Sequence, residues 1–179
     1  MLIRREEPAD HDAVHRVHLA AFPTRLESDL LDALRADPGW LPRLSLLAEV
    51  DGVVIGHVLA TRAWLETAPP EYGPVKSAPV KSAPALGIGP LGVLPERQRD
   101  GVGSALMHAI IAAAEALDET LLGLLGEPAY YRRFGFQAAG ELGVLSPDPT
   151  WGGYFQARRL RGRAPTGTFR YAAAFNIPA

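Results

Sequence analysis

The chain has 179 residues, 47% of them hydrophobic and 21% charged, a balance that supports a soluble globular domain with an ordinary core and excludes a disordered or fibrous protein. Its 18 Lys and Arg against 20 Asp and Glu leave a formal net charge of -2, so no global field draws it to nucleic acid or anionic lipid. The sequence contains no cysteine, which excludes disulfides, thiolate metal sites and a cysteine-borne acyl intermediate together.

The start, Met1 to Glu7, reaches charge too early for a signal peptide, and no apolar run approaches the ~20 residues of a membrane span. A cytoplasmic location and one domain over residues 1–179 are the expectations. Residues 2–6 read as a short strand, and Pro8-Ala9-Asp10 opens a helix in which Val14, Val17 and Ala21 recur at helical spacing until Pro23. A second helix is expected over 27–35, with Leu30, Leu31 and Leu34 on one face and Asp37-Pro38-Gly39 ending it. Segments 44–50 and 53–63 are apolar and joined by Asp51-Gly52, a short-hairpin signal that predicts antiparallel pairing.

Segment 66–84 carries Pro69-Pro70 and two identical copies of PVKSA starting at Pro74 and Pro79, and reads as a long loop, a tolerated duplication rather than a lid. Residues 85–94 form an apolar run broken by Gly87, Gly89, Pro90 and Gly92, the pattern of an irregular strand. From Val102, Ala105, Leu106, Ala109, Ile110, Ala113 and Leu117 repeat at helical spacing and predict a largely buried helix. A strand over 120–125 follows, then a short helix from Pro128 to Phe134 ended by Gly135, and two closing strands over 154–160 and 169–175. This order indicates an α/β fold, a mixed sheet with helices on its faces.

The segment Leu91-Gly92-Val93-Leu94-Pro95-Glu96-Arg97-Gln98-Arg99-Asp100-Gly101-Val102-Gly103-Ser104 runs from strand through loop into helix. A helix start offers unpaired N–H groups and the positive end of the dipole, and Gly101 and Gly103 clear the approach, so a phosphorylated ligand is expected. A dinucleotide fingerprint needs a third glycine where Leu106 stands, and a P-loop needs Gly-Lys followed by Ser or Thr, which is absent.

With Gln98, Gly101 and Gly103 meeting the pattern QxxGxG, the segment resembles the signature of the GNAT superfamily of N-acetyltransferases. The strand before it, the apolar helix after it and a later aromatic-Gly-Phe element fall in the order of that family, so the whole chain can be threaded through it. The resemblance implies a mixed, mostly antiparallel central sheet flanked by helices. It implies acetyl-CoA as co-substrate and no metal, with Gln98, Arg99, Asp100, Gly101, Val102, Gly103 and Ser104 around the pyrophosphate. Leu91, Gly92 and Val93 would bind the pantetheine arm on a sheet edge that the family leaves open, and a backbone N–H near Val93 would stabilise the developing oxyanion.

In Tyr130-Tyr131-Arg132-Arg133-Phe134-Gly135-Phe136, Tyr131 stands four residues before the glycine, where the resembling family commonly places a tyrosine facing the cofactor sulfur. Its implied role is the general acid that protonates the leaving thiolate. Many relatives carry a Glu on the strand before the pyrophosphate loop as general base, but no acid lies between Ala85 and Leu94. Glu27, Glu49, His57 or solvent remain as candidates. The implied acceptor is a primary amine of a small molecule or a peptide, reached by direct attack in a ternary complex, and the resemblance leaves a homodimer open. Rival expectations are a catalytically silent acyl-CoA sensor, suggested by the missing base, and a domain whose glycine loop is purely structural. His11, His15 and His18 share a helical face without a metal-ligand motif and read as solvated. Arg158, Arg159, Arg161 and Arg163 read as a polar strand edge and turn.

Overall fold

The computed structural model describes residues 1–67, 81–162 and 166–176. The chain divides into two units, the first of Met1–Thr61, Ile88–Asp118 and Ala172–Ala179, the second of Arg62–Gly87 and Glu119–Tyr171.

In the first unit, strand β1 (Leu2–Arg5) leads through a 3-10 turn at Pro8–Asp10 into helix α1 (His11–Ala21). The entry is pinned by Asp10, whose carboxylate accepts from Glu7 N at 2.8 Å and takes the Arg4 guanidinium in a fork at 2.6 and 2.8 Å. Helix α2 (Leu26–Ala36) ends where Asp37 turns back, its Oδ1 accepting from Gly39 N at 2.6 Å. Strands β2 (Ser45–Val50) and β3 (Val53–Thr67) form the expected hairpin. Asp51 at φ 51° and Gly52 at φ 78° take the two left-handed positions that a two-residue hairpin turn requires. β2 also pairs antiparallel with β1, from Leu2↔Glu49 to Arg5↔Leu46.

Strand β4 (Lys81–Val93), which enters the first unit at Ile88, is followed there by helix α3 (Val102–Ala116). Side chains on a strand alternate, so neighbouring residues of β3 face different helices. A Cβ on Gly56 would lie 2.9 Å from Val102 Cγ1 and 3.0 Å from Leu106 Cδ1 of α3, while His57, the next residue, contacts His18 of α1. On the α1 and α2 side, Val14, Leu31, Leu34, Leu47, Leu59 and Ala172 form one buried cluster. Each fully buried leucine there contributes about 1.5–3 kcal/mol of transfer free energy.

In the second unit, β4 pairs parallel with strand β5 (Leu121–Leu125) through Leu86↔Leu122 and Gly87↔Gly123. Helix α4 (Pro128–Tyr131) continues as a 3-10 turn to Phe134, and Gly135 ends it at φ 79°. Strand β6 (Gln137–Ala138), strand β7 (Val144–Leu145), strand β8 (Phe155–Arg159) and strand β9 (Gly167–Arg170) follow. β8 lies antiparallel between β5 and β6, and β9 pairs antiparallel with β3 and parallel with β7. The pairing is therefore mixed and mostly antiparallel, as expected. Phe155, Phe169, Leu65 and Leu121 lead this unit's core, where Gly123 is a close-approach position because a Cβ would lie 2.6 Å from the Phe169 ring.

Two expectations are corrected. The 66–84 segment is not all loop, because β3 runs to Thr67 and β4 begins at Lys81, taking the last three residues of the second PVKSA copy into a strand. Residues 68–80, with the first copy, lie outside the described residues. The expected strand over 169–175 stops at Arg170, and Ala173–Asn176 turn as a 3-10 helix because Ala172, Ala174 and Phe175 pack on the α1 and α2 cluster. Arg158 and Arg159 end β8, paired there with Leu122 and Leu121 of β5, while the pairing with β6 reaches Gln156 and Ala157, and the Arg158 guanidinium donates to Phe134 O at 2.6 Å. Arg163 lies outside the described residues. Among the described residues no helix is long and apolar enough to cross a membrane.

Candidate functional site

The expected pyrophosphate loop stands at the start of α3. Gln98, Arg99, Asp100 and Gly101 are exposed, Val102 is buried, and Gly103 and Ser104 are half-buried in the first helical turn. Gln98 Nε2 donates to Val93 O at 3.2 Å and ties the loop back to the end of β4. Arg99 at φ 69° and Gly101 at φ 84° are left-handed, and no side chain caps the helix. A left-handed Gly101 followed by helical Val102 turns successive N–H groups to one side, the backbone form of an anion cradle. A Cβ built on Gly101 meets nothing within 4 Å, so no other group crowds that position of the turn.

Of the strand residues expected at the pantetheine arm, Leu91 and Val93 are half-buried and Gly92 is buried. The pairing of β4 with β5 covers Leu86 and Gly87 alone among the described residues. Gly92 is covered by His18 of α1: a Cβ there would lie 3.0 Å from both Nδ1 and Cε1 of that ring. His18 is fully buried, a correction to the solvated face expected for His11, His15 and His18. Among the described residues no group of three or more His, Cys, Asp or Glu is arranged to hold a metal ion.

His18 belongs to a buried polar chain that the sequence reading missed. His18 Nε2 meets His57 Nδ1 at 3.0 Å, and His57 Nε2 meets Ser45 Oγ at 2.9 Å. The Ser45 hydroxyl donates to Glu6 Oε2, which also lies 3.5 Å from His57 Nε2. Glu6 Oε1 accepts from Arg35 Nη2 at 2.5 Å. Burial opposes the charge of Glu6, but the hydrogen bond and charge of His57, the Ser45 hydroxyl and Arg35 prevail and hold its carboxyl down at about 2. Burial drives the His18 imidazole down to about 2, with His57 and Arg35 adding repulsion, and burial likewise lowers His57 against the pull of Glu6.

The three residues named for the general base stand in different surroundings. Glu49 is held by Arg4 Nε at 2.9 Å, and Glu27, in the first turn of α2, accepts from Thr24 Oγ1 at 3.4 Å. His57 has no exposed surface, and among the described residues its ring nitrogens meet His18, Ser45 and, at 3.5 Å, Glu6. The signal for His18 was present in the sequence. It follows Val14 by one helical turn, and Val14 is on the core face.

Tyr131, in the second unit, ends α4 and is half-buried. Its ring stands edge-on to Tyr130 at 4.9 Å and to Phe136 at 6.1 Å. Burial, with a smaller contribution from Tyr130, pushes its hydroxyl up to about 12, so it carries its proton at neutral pH. The ring packs where a side chain on Gly126 would be, and an added Cβ there would fall on Tyr131 Cε2. Gly126→Ala is expected to displace the ring, lowering stability by about 1–3 kcal/mol and any turnover that depends on Tyr131. Denaturant titration and steady-state kinetics check this, and an unchanged melt would show that the ring has room to move.

The Acetyltransferase (GNAT) domain family matches residues 42–138, which include the β4 segment, the loop, the start of α3 and Tyr131. The uncharacterized N-acetyltransferase YjhQ of Escherichia coli (strain K12) is 34% identical over 144 residues, 80% of this chain and 74% of that protein. Among solved structures, the GNAT family N-acetyltransferase YhbS from Escherichia coli, in complex with CoA, is similar with a TM-score of 0.82 and 26% identity over 98% of this chain and 91% of that one. A GNAT family acetyltransferase from Brucella melitensis, in complex with acetyl-CoA, is similar with a TM-score of 0.71 and 30% identity over 98% and 97%.

Proposed function

The chain belongs to the GNAT acetyltransferase family, and from that premise we propose that it moves an acetyl group from acetyl-CoA to a primary amine by direct attack of the amine on the thioester. The observation that carries this reading is the uncapped start of α3, entered through left-handed Arg99 and Gly101, with nothing crowding Gly101. The N–H groups of Val102, Gly103 and Ser104, with the backbone of Gln98 to Gly101, hold the pyrophosphate, and Leu91 to Val93 hold the pantetheine arm. The two relatives solved with CoA and acetyl-CoA support that assignment of ligand.

In this reading the thioester supplies an activated acyl carbon. A backbone N–H near Val93 receives the charge that develops on its oxygen, and Tyr131 gives its proton to the departing thiolate. The C–N bond forms as the C–S bond breaks, the amide nitrogen gives up its surplus proton to solvent and solvent restores the Tyr131 hydroxyl, with no acyl-enzyme on a thiol because the chain has no cysteine. The acceptor is a small-molecule or peptide amine, and the whole chain acts as one catalytic domain in the cytoplasm.

The test is a melt with and without acetyl-CoA, followed by free-CoA release over a panel of primary amines. A ligand at 100 times its Kd stabilises the fold by about 2.7 kcal/mol, so a rise in Tm is expected. CoA release with at least one amine completes the prediction. A melting shift without release on any amine would favour the silent sensor, which the absence of an acid on β4 near Gly92 recommends as the second reading. No shift at all would leave the glycine loop a structural turn.

A further inference from the structure

In the second unit, the end of β3 forms a three-stranded arm with β9 and β7, and one face of that arm presents large side chains to solvent. Cross-strand partners share a face, so the register sorts the arm into two sides. Leu65 with Phe169, and Val144 with Gly167, turn inward, where Leu65, Phe169 and Val144 are fully buried in this unit's core. Trp64 with Arg170, Glu66 with Thr168, and Leu145 with Thr168 turn outward. Trp64 is 44% exposed and Leu145 60%. Arg170 Nε donates to Glu66 Oε2 at 2.9 Å on the same face, and both of those side chains are exposed too.

An exposed ion pair adds little to a fold, and an indole left in solvent forgoes much of the stabilisation that burial would give it. Trp and Arg are also the residue types that dominate binding hot spots. The face carries one positive and one negative group, so it offers no net field to nucleic acid or an anionic surface. Its complement is a surface with the same two charges in crossed order, which is what a second copy presents across a two-fold axis. We propose that two copies of the chain associate through this face, Trp64, Glu66, Leu145, Thr168 and Arg170 of one against the same residues of the other. The association is independent of the acetyl-transfer reading.

Strand geometry fixes how the copies meet. Neighbouring strands lie about 4.8 Å apart and alternate residues of one strand about 6.7 Å apart. Trp64, Thr168 and Leu145 therefore fall close to one diagonal of the face, with Arg170 on one side of it and Glu66 on the other. A two-fold axis along that diagonal sets Trp64 against its own copy and Leu145 against its own. It also brings each Arg170 over the Glu66 of the other copy, so two crossed ion pairs flank the apolar line. A guanidinium has five donors and a carboxylate two oxygens, so each group keeps its neighbour within the chain while it takes the crossed one. The two arms then cross near a right angle, the orthogonal class of sheet packing. Edge-to-edge pairing through β7 is a poor alternative, because that strand offers two residues.

The test is sedimentation velocity of the full chain from about 1 to about 100 μM. The wild type is expected to pass from monomer to twice that mass as concentration rises, and a monomer throughout would overturn the proposal. Trp64→Glu is expected to weaken association at least about 10-fold, and undiminished association would overturn it. Glu66→Arg and Arg170→Glu each set like charges against one another across the axis, so each alone should stay monomeric. Mixed in equal amounts they should form a heterodimer, because one copy then carries two positive groups and the other two negative ones. A mixture that stays monomeric would overturn the crossed pairs. A measurement on the wild type alone covers variants that fail to fold. Hydroxyl-radical footprinting should show Trp64 and Leu145 protected in the concentrated protein and reactive on dilution. Full reactivity of both where the mass has doubled would place the association on another surface and overturn the proposal. None of these results bears on acetyl transfer, which is tested by CoA binding and release.

Discussion

Tyr131→Phe is expected to lower kcat by about 100-fold while leaving the affinity for acetyl-CoA unchanged. The substitution removes one oxygen and keeps the ring that packs against Gly126, Tyr130 and Phe136, so the melt should be nearly that of the wild type. The direction follows from electrostatics. A phenol pushed up to about 12 by burial is a poor base and a standing proton donor at neutral pH, which suits protonation of a thiolate. Because that hydroxyl ionises only near pH 12, Tyr131 should contribute no alkaline fall in rate below about pH 10. Steady-state kinetics and acetyl-CoA titration separate the two parameters. A kcat equal to the wild type would remove Tyr131 from the acid role and leave the thiolate to solvent.

Stability is expected to fall steeply as pH drops below about 6.5. His18 and His57 are buried, and the fold holds both below the ordinary imidazole value, His18 down to about 2. Once unfolded they titrate near 6.5, so below that pH the unfolded chain binds protons that the folded chain does not, and the equilibrium moves toward unfolding. Each imidazole contributes a slope of up to about 1.4 kcal/mol per pH unit in that window. Glu6 adds a second phase of the same sign. Its carboxyl is held at about 2 against an ordinary 4.5, so its stabilisation is present above the ordinary value and lost as pH falls toward 2. Urea midpoints measured from pH 7.5 to pH 5 test the first phase. His18→Gln should flatten the slope by about one imidazole's share, and a wild-type midpoint constant over that range would show that the histidines are not kept neutral.

The glycine loop was legible because its chemistry is local: a strand, two glycines and an apolar helix in series are enough to place an uncapped helix start, whatever packs behind it. The Asp51-Gly52 hairpin was legible for the same reason, since the turn demands two left-handed residues and these supply them. The strand over 169–175 was misread because YAAAF is equally apolar on every face, and only the cluster of Val14, Leu31 and Leu34 decides that it turns as a 3-10 helix.

By itself, then, the sequence determined the family, the uncapped start of α3 and the tyrosine that stands four residues before Gly135, each carried by residues close together in the chain. Tertiary structure alone decided the fate of the histidines. Glu6, His18, Ser45 and His57 come from β1's end, α1, β2 and β3, with 39 positions between Glu6 and Ser45 and the same between His18 and His57. No local pattern joins them. Pairing of β1 with β2 and of β2 with β3 brings three of them together, and α1 lays the fourth over Gly92, where the lack of a side chain admits an imidazole with one nitrogen unpaired.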